Sequence, residues 1–172
     1  VKQTLRFIAF VVVLHPAFAQ RADVSVIGGG GFAGGEEQDT HGVSAAGATV
    51  GFPYSGRHRA QFDYLFNHPH TSGSENRHFI TASYVIQGSK GRTRPFVQMG
   101  AGVVVQTFAP FFVGPFGRRI ESSSDTSFAV VFGGGATVDI GRSFFIRPQV
   151  RLYGHVGPTL TVLPSVAFGW RF

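Results

Sequence analysis

The stretch Ser127–Leu152 reads SFAVVFGGGATVDIGRSFFIRPQVRL, and its period decides the fold. Phe128, Val130, Phe132, Gly134, Ala136, Val138 and Ile140 fall on one face of an extended chain. Ser127, Ala129, Val131, Gly133, Gly135, Thr137 and Asp139 fall on the other. Beyond Gly141-Arg142-Ser143 the alternation restarts, with Phe144, Ile146, Pro148, Val150 and Leu152 against Phe145, Arg147, Gln149 and Arg151. A period of two is the strand period, because successive side chains leave opposite faces of the pleat. If Gly141–Ser143 is a three-residue turn, Ile140 faces Phe144. That register sets Thr137 opposite Arg147, Gly135 opposite Gln149 and Gly133 opposite Arg151. Asp139 becomes a diagonal neighbour of Arg147, within reach of its long side chain. Gly133 and Gly135 then read as spacers that leave room for the cations facing them.

The alternation continues in both directions. Downstream it is carried by Leu160, Val162, Pro164, Val166, Phe168, Trp170 and Phe172. Upstream it runs through Phe62-x-Tyr64-x-Phe66, Ile80 to Ile86 and Val97 to Val105, with weaker Gly- and Ala-rich strands before them. The count is eight strands, at 23–32, 42–52, 58–67, 77–88, 94–107, 125–140, 143–154 and 159–172. Several reach ten residues or more, against about 5–6 in an ordinary soluble sheet. Tight connections, near 53–57, 89–93 and 141–143, alternate with longer ones near 33–41, 68–76 and 108–124; the last link, 155–158, is short. The pattern predicts an all-β, eight-stranded, antiparallel up-and-down transmembrane β-barrel whose first strand pairs with its last. Pro164, which has no ladder donor, predicts a local irregularity in the final strand.

Lys2 and Arg6, the apolar run Phe7–Leu14 and the small-x-small triplet Ala17-Phe18-Ala19 read as a cleavable leader over residues 1–19, with the barrel domain over 20–172. The formal charge of +6 falls to +4 without Lys2 and Arg6. The other cations are scattered rather than gathered on a helix, which argues against a nucleic-acid partner. There are no cysteines and therefore no disulfide framework.

A barrel can be apolar inside, as in a secreted lipocalin-like carrier, or apolar outside, as in a membrane. Here Asp63, Asp139, Arg147, Arg151 and Arg171 share the polar faces, and the apolar faces carry almost no charge across the strand centres. A cation facing lipid at the midplane costs about 2–4 kcal/mol, so this segregation favours the membrane. Aromatics gather toward the strand ends: Phe52, Tyr54, Phe144, Trp170 and Phe172 at the tight-turn end, and Phe32, Phe66, Phe108, Phe112 and Phe128 at the other. Such rings favour the bilayer interface. The five charged residues are expected to form a paired network that fills the lumen and fixes strand register, since buried charges persist only when paired. An eight-stranded tube filled in this way is not expected to conduct, although a narrow channel is the alternative.

The run Val24–Gly35 contains Gly29-x-Gly31-x-x-Gly34, the spacing of a dinucleotide site. Glu36-Glu37-Gln38-Asp39 follows, with no helical apolar period, so the helix N-terminus that binds phosphate is missing and no cofactor is expected. His41, His68, His70, His78 and His155 would gather toward the long-loop end. No cysteine or HExxH accompanies them, and they read as loop histidines rather than a metal site. No catalytic group is assigned. A hydrolase built on His155 or His78 with a residue of Ser122–Asp125 would require a geometry that spacing does not supply.

Gly133-Gly-Gly-Ala-Thr-Val-Asp139, Phe145-Ile-Arg-Pro-Gln-Val-Arg151 and the closing Phe168-Gly-Trp-Arg-Phe172 resemble the small outer-membrane β-barrels, such as the OmpA transmembrane domain and OmpX. The resemblance covers nearly the whole chain. It implies residence in the outer membrane of a Gram-negative-type bacterium, with tight turns in the periplasm and longer loops outside. Outer-membrane lipids would then be partners. So would the assembly machinery, which would read Val166, Phe168, Trp170 and Phe172 as its signal. Arg57, Arg59, Lys90, Arg92, Arg94 and Arg142 would be periplasmic turn residues. An extracellular partner would meet the loops, foremost Phe111, Phe112, Phe116, Arg118 and Arg119. The resulting expectation is a non-enzymatic protein with a structural, adhesion or surface-recognition role.

Overall fold

Valine, isoleucine, phenylalanine and tyrosine at every second position favour a pleated surface with one apolar face. In the computed structural model this pattern produces ten strands among the described residues. They are β1 (Asp23–Gly35), β2 (Gln38–Ser55), β3 (His58–Pro69), β4 (Asn76–Gln87), β5 (Thr93–Thr107), β6 (Phe111–Val113), β7 (Arg118–Ile120), β8 (Ser124–Ile140), β9 (Phe144–His155) and β10 (Thr159–Arg171). The structure describes residues 22–35, 38–70, 75–88, 91–107, 111–113, 118–120, 123–155 and 159–172. The candidate leader lies outside them.

Eight strands close into a barrel in the order β1-β10-β9-β8-β5-β4-β3-β2, with all neighbours antiparallel. Closure runs from Asp23↔Arg171 to Gly35↔Thr159. It provides every edge with a partner, which is what a lipid environment requires of a sheet. The glycines of Val24–Gly35 therefore lie within a strand, not in a phosphate-binding loop. The turn at 141–143 sets Ile140↔Phe144, Gly135↔Gln149 and Gly133↔Arg151, the register read from the sequence.

Two features depart from the sequence reading. β1 and β2 extend three or four residues beyond the expected ends at 32, 42 and 52, with bulges between Ala33 and Gly35 and between Pro53 and Ser55. The added residues are Ala33-Gly-Gly35, Gln38-Asp-Thr-His41 and Pro53-Tyr-Ser55, which carry no apolar alternation, so these ends are set by pairing rather than by pattern. The long connection after β5 also contains a small hairpin, β6–β7, with Phe112↔Arg119 in register.

Candidate functional site

The outer wall is apolar. Val26, Val97, Phe128 and Val166 are 62%, 60%, 55% and 53% exposed. Among the described residues, no Asp, Glu, Lys or Arg occupies an outward position of a barrel strand. Single exposed apolar residues are ordinary, but a continuous belt marks a surface that meets something other than water. Rings border it at both ends. Phe144 stacks on Phe168 and Trp170 at centroid distances of 5.9 and 6.2 Å, and Trp170 meets Phe172 at 5.0 Å. At the same end the Tyr84 hydroxyl and His58 Nδ1 lie 2.6 Å apart. At the loop end Tyr64 and His78 are hydrogen-bonded at 2.8 Å, and Phe66 packs on His78 at 5.1 Å.

The lumen is layered along its axis. The storey nearer the tight turns is ionic. Arg151 Nη1 lies 3.1 Å from Asp63 Oδ1 and donates to the Tyr153 hydroxyl at 3.1 Å. Asp63 accepts from Thr49 Oγ1 at 2.6 Å and from Gln61 Nε2 at 3.1 Å. Arg147 donates to Gln61 Oε1 at 3.1 Å and to Thr137 Oγ1 at 3.2 Å, and its guanidinium lies 4.9 Å from the Phe145 ring centre. Asp23 accepts from Arg59, with Arg147 Nη2 at 4.0 Å. At the rim, Asp139 binds Arg94 at 2.7 Å and Arg171 at 3.1 Å. Strand order puts β9 diametrically opposite β3, so Arg151–Asp63 and Arg147–Gln61 cross the full width of the tube.

An apolar layer lies next toward the long loops, and beyond it Asn67, Arg77 and Thr161 are buried. Leu65, Phe79, Val104, Val131, Tyr153 and Leu163 are buried with no measurable exposure. Phe79 and Tyr153 lie 4.6 Å apart, centroid to centroid. These side chains close the tube with hydrocarbon just above the charged layer.

This arrangement corrects three expectations. Asp139 engages Arg94 and Arg171 rather than its diagonal neighbour Arg147. The tilt of the strands carries Arg147 up the lumen toward Gln61 instead. Arg59 and Arg94 are not solvated turn residues but turn inward onto Asp23 and Asp139. The inner face is not uniformly polar, because the layer of Leu65, Phe79, Val131 and Leu163 interrupts it.

Gly133 and Gly135 are close-packed against backbone and glutamine rather than against an arginine. A Cβ on Gly133 would lie 2.8 Å from the Val150 carbonyl and 3.2 Å from the Gln98 side chain, and one on Gly135 would lie 2.8 Å from Gln149 Cα. A direct glycine–arginine juxtaposition occurs at Gly51, where a Cβ would collide with the Arg59 guanidinium and Asp23. Sequence reasoning missed Asp23, Arg59, Arg94, Gln61 and Thr49. Asp23 and Arg59 stand at strand starts, where a charged residue reads as turn chemistry.

Val166, Phe168, Trp170 and Phe172 all stand on the outer wall of the closing strand or at its end. The β6–β7 backbone carries Phe111, Phe112, Arg118 and Arg119; Phe116 lies outside the described residues, as does Phe108. Histidines at the loop end are hydrogen-bonded one by one, His68 to Asn76 at 2.7 Å and His70 to Ser44 at 2.6 Å. Among the described residues no group of three potential metal ligands converges.

No family signature and no curated protein sequence matches the chain. Its fold does match solved structures. Neisserial surface protein A is similar with a TM-score of 0.73 at 12% identity, over 88% of this chain and 97% of that one. Ail, the attachment invasion locus protein of Yersinia pestis, is similar with a TM-score of 0.63 at 12% identity, over 89% and 99% of the two chains. The N-terminal β-barrel domain of Pseudomonas aeruginosa OprF gives a TM-score of 0.57 at 14% identity, over 89% and 98%. The chain has the fold of the small eight-stranded outer-membrane barrels.

Proposed function

We propose that this chain is an integral outer-membrane protein of a Gram-negative-type bacterium. Its barrel is a sealed, non-enzymatic anchor, and its long-loop end is the working surface for adhesion or recognition. The observation that carries this reading is the pairing of an apolar outer belt with a filled lumen. Val26 and Val97 face outward while Arg147 and Arg151 are buried inside. A water-soluble carrier needs the opposite polarity and an open interior. Support for a surface role comes from the connections: tight turns and both barrel-closing strand ends share one end, and the long β5–β8 connection with its hairpin occupies the other. One structural neighbour, Ail, is named as an attachment and invasion protein.

Fractionation of expressing cells tests the location. The protein should appear in the outer-membrane fraction and shift its gel mobility on heating; recovery in the soluble fraction would overturn the reading. In planar bilayers the purified protein should give no steady ohmic conductance. The surface role is tested by adhesion of expressing bacteria to epithelial monolayers, comparing the full chain with one whose residues 109–124 are replaced by a Gly-Ser linker. Equal adhesion of both to background level would remove the adhesion reading.

A further inference from the structure

The outer wall carries shallow depressions, and the larger of two lies on the closing side of the barrel. It crosses four adjacent strands, β1, β10, β9 and β8, and has a volume of about 520 Å³. Gly28, Gly134, Pro148 and Pro164 form its bed, and Val150 and Val166 form its banks. The bed is hollow for two reasons. The glycines have no side chains, and proline rings are short beside the valines next to them.

The prolines also interrupt the sheet. The β1–β10 ladder breaks after Gly29↔Ser165 and resumes at Phe32↔Val162, where Pro164 has no N–H to offer Gly30. The β8–β9 ladder breaks after Gly135↔Gln149 and resumes at Val138↔Ile146, where Pro148 has none to offer Ala136. The β9–β10 ladder between them is continuous. A firm two-stranded ribbon is therefore flanked by a loosened seam on each side, both at the height of the groove. Behind the glycines, Gln149 and Ser165 also border it; both are buried, and their side-chain polar atoms have no hydrogen-bond partner. The wall there is one backbone thick.

We propose that this groove docks the fatty-acyl chain of a membrane phospholipid. The inference rests on the membrane-spanning reading above, and four observations carry it. The groove is continuous with the apolar belt. It is bordered by no charged residue, which excludes a headgroup. It lies at mid-height: Pro148 is the fifth residue of the twelve in β9, and Pro164 the sixth of the thirteen in β10. It spans three interstrand steps of about 4.8 Å, or roughly 14 Å, which suits an extended hydrocarbon chain crossing tilted strands.

The test is photolabelling in phosphatidylcholine vesicles doped with a phosphatidylcholine bearing a diazirine on one acyl chain, followed by peptide mapping. Val150 and Val166 should be labelled several-fold more than Ile80 and Phe62, which stand on the opposite wall on β4 and β3. A Cβ at Gly28 meets nothing within 4 Å, so Gly28→Leu should fold, fill the groove and bring labelling down to the Ile80 level. If that variant does not reach the heat-modifiable form, Val166→Phe serves in its place. Even labelling around the belt, or enrichment unchanged by the filling variant, overturns the proposal. Labelling of the groove below the Ile80 level, together with an intermolecular cross-link, assigns this face to a second copy of the chain and also overturns it. No labelling anywhere on the outer wall would instead overturn the membrane reading itself.

Discussion

Arg151 on β9 and Asp63 on β3 meet at 3.1 Å across the diameter of the barrel, with both side chains about 1% exposed. The pair joins walls that share no ladder. Removing one partner of a buried ion pair leaves the other uncompensated, at a cost of about 3–5 kcal/mol. Asp63→Ala should lower stability by that amount in urea unfolding from lipid vesicles. The double variant Asp63→Leu with Arg151→Met should regain most of the loss, because a packed apolar pair carries no desolvation penalty. Equal stability of wild type and Asp63→Ala would show that the brace does not hold the barrel.

Gly51 makes room for a second bridge. Its absent side chain leaves space for the Arg59 guanidinium on Asp23. Gly51→Val should destabilise by about 1–3 kcal/mol through overpacking. Gly28→Ala, where the added carbon meets nothing within 4 Å, should stay within about 0.5 kcal/mol of wild type. The same unfolding assay separates the two.

Phe79 lies in the apolar layer of the lumen, fully buried beside Tyr153 at 4.6 Å. Phe79→Ala should cost about 3–5 kcal/mol, as for other buried aromatic truncations. The variant should still pass no steady current in a planar bilayer, because the Arg147 and Arg151 layer beneath continues to fill the tube. Ohmic conductance from this single substitution would show that the apolar layer alone seals it.

Val97 is 60% exposed on the outer wall. In lipid, Val97→Arg should cost about 2–4 kcal/mol, since a cation there sits in hydrocarbon. On a water-facing surface the same change would stay within about 0.5 kcal/mol. The size of this one effect, measured by refolding into vesicles, discriminates the two environments.

The sequence carried the barrel well because strand period and turn length are local. Ile140↔Phe144 followed from Gly141–Ser143 alone, and so did the pairings Gly135↔Gln149 and Gly133↔Arg151, while Thr137↔Arg147 falls in the break beside Pro148. What it did not carry was everything that depends on closure. Arg147 finds Gln61 eighty-six residues away, and no spacing rule links strands on opposite sides of a tube. Asp139 illustrates the same limit: its diagonal neighbour was evident in the hairpin, but Arg94 and Arg171 reach it only once β5 and β10 are folded around it. Val131 and Phe145 share the inward set with Thr137 and Arg147 in the sequence pattern, yet alternation assigns only the face and not the height at which such residues gather into a layer. The apolar storey was hidden for that reason. The proline at 148 escaped notice because its strand otherwise reads without a flaw, although its effect on the ladder equals that of Pro164.

The chain contains a single tryptophan, and it lies on β10, the strand that meets β1 to complete the cylinder. Its indole is half-exposed on the outside, flanked by Phe144 and Phe172. Excited at wavelengths too long for its four tyrosines to absorb, the protein therefore gives fluorescence from one site. The blue shift of its emission reports when that seam enters the bilayer, so insertion of the last strand can be timed without any added dye.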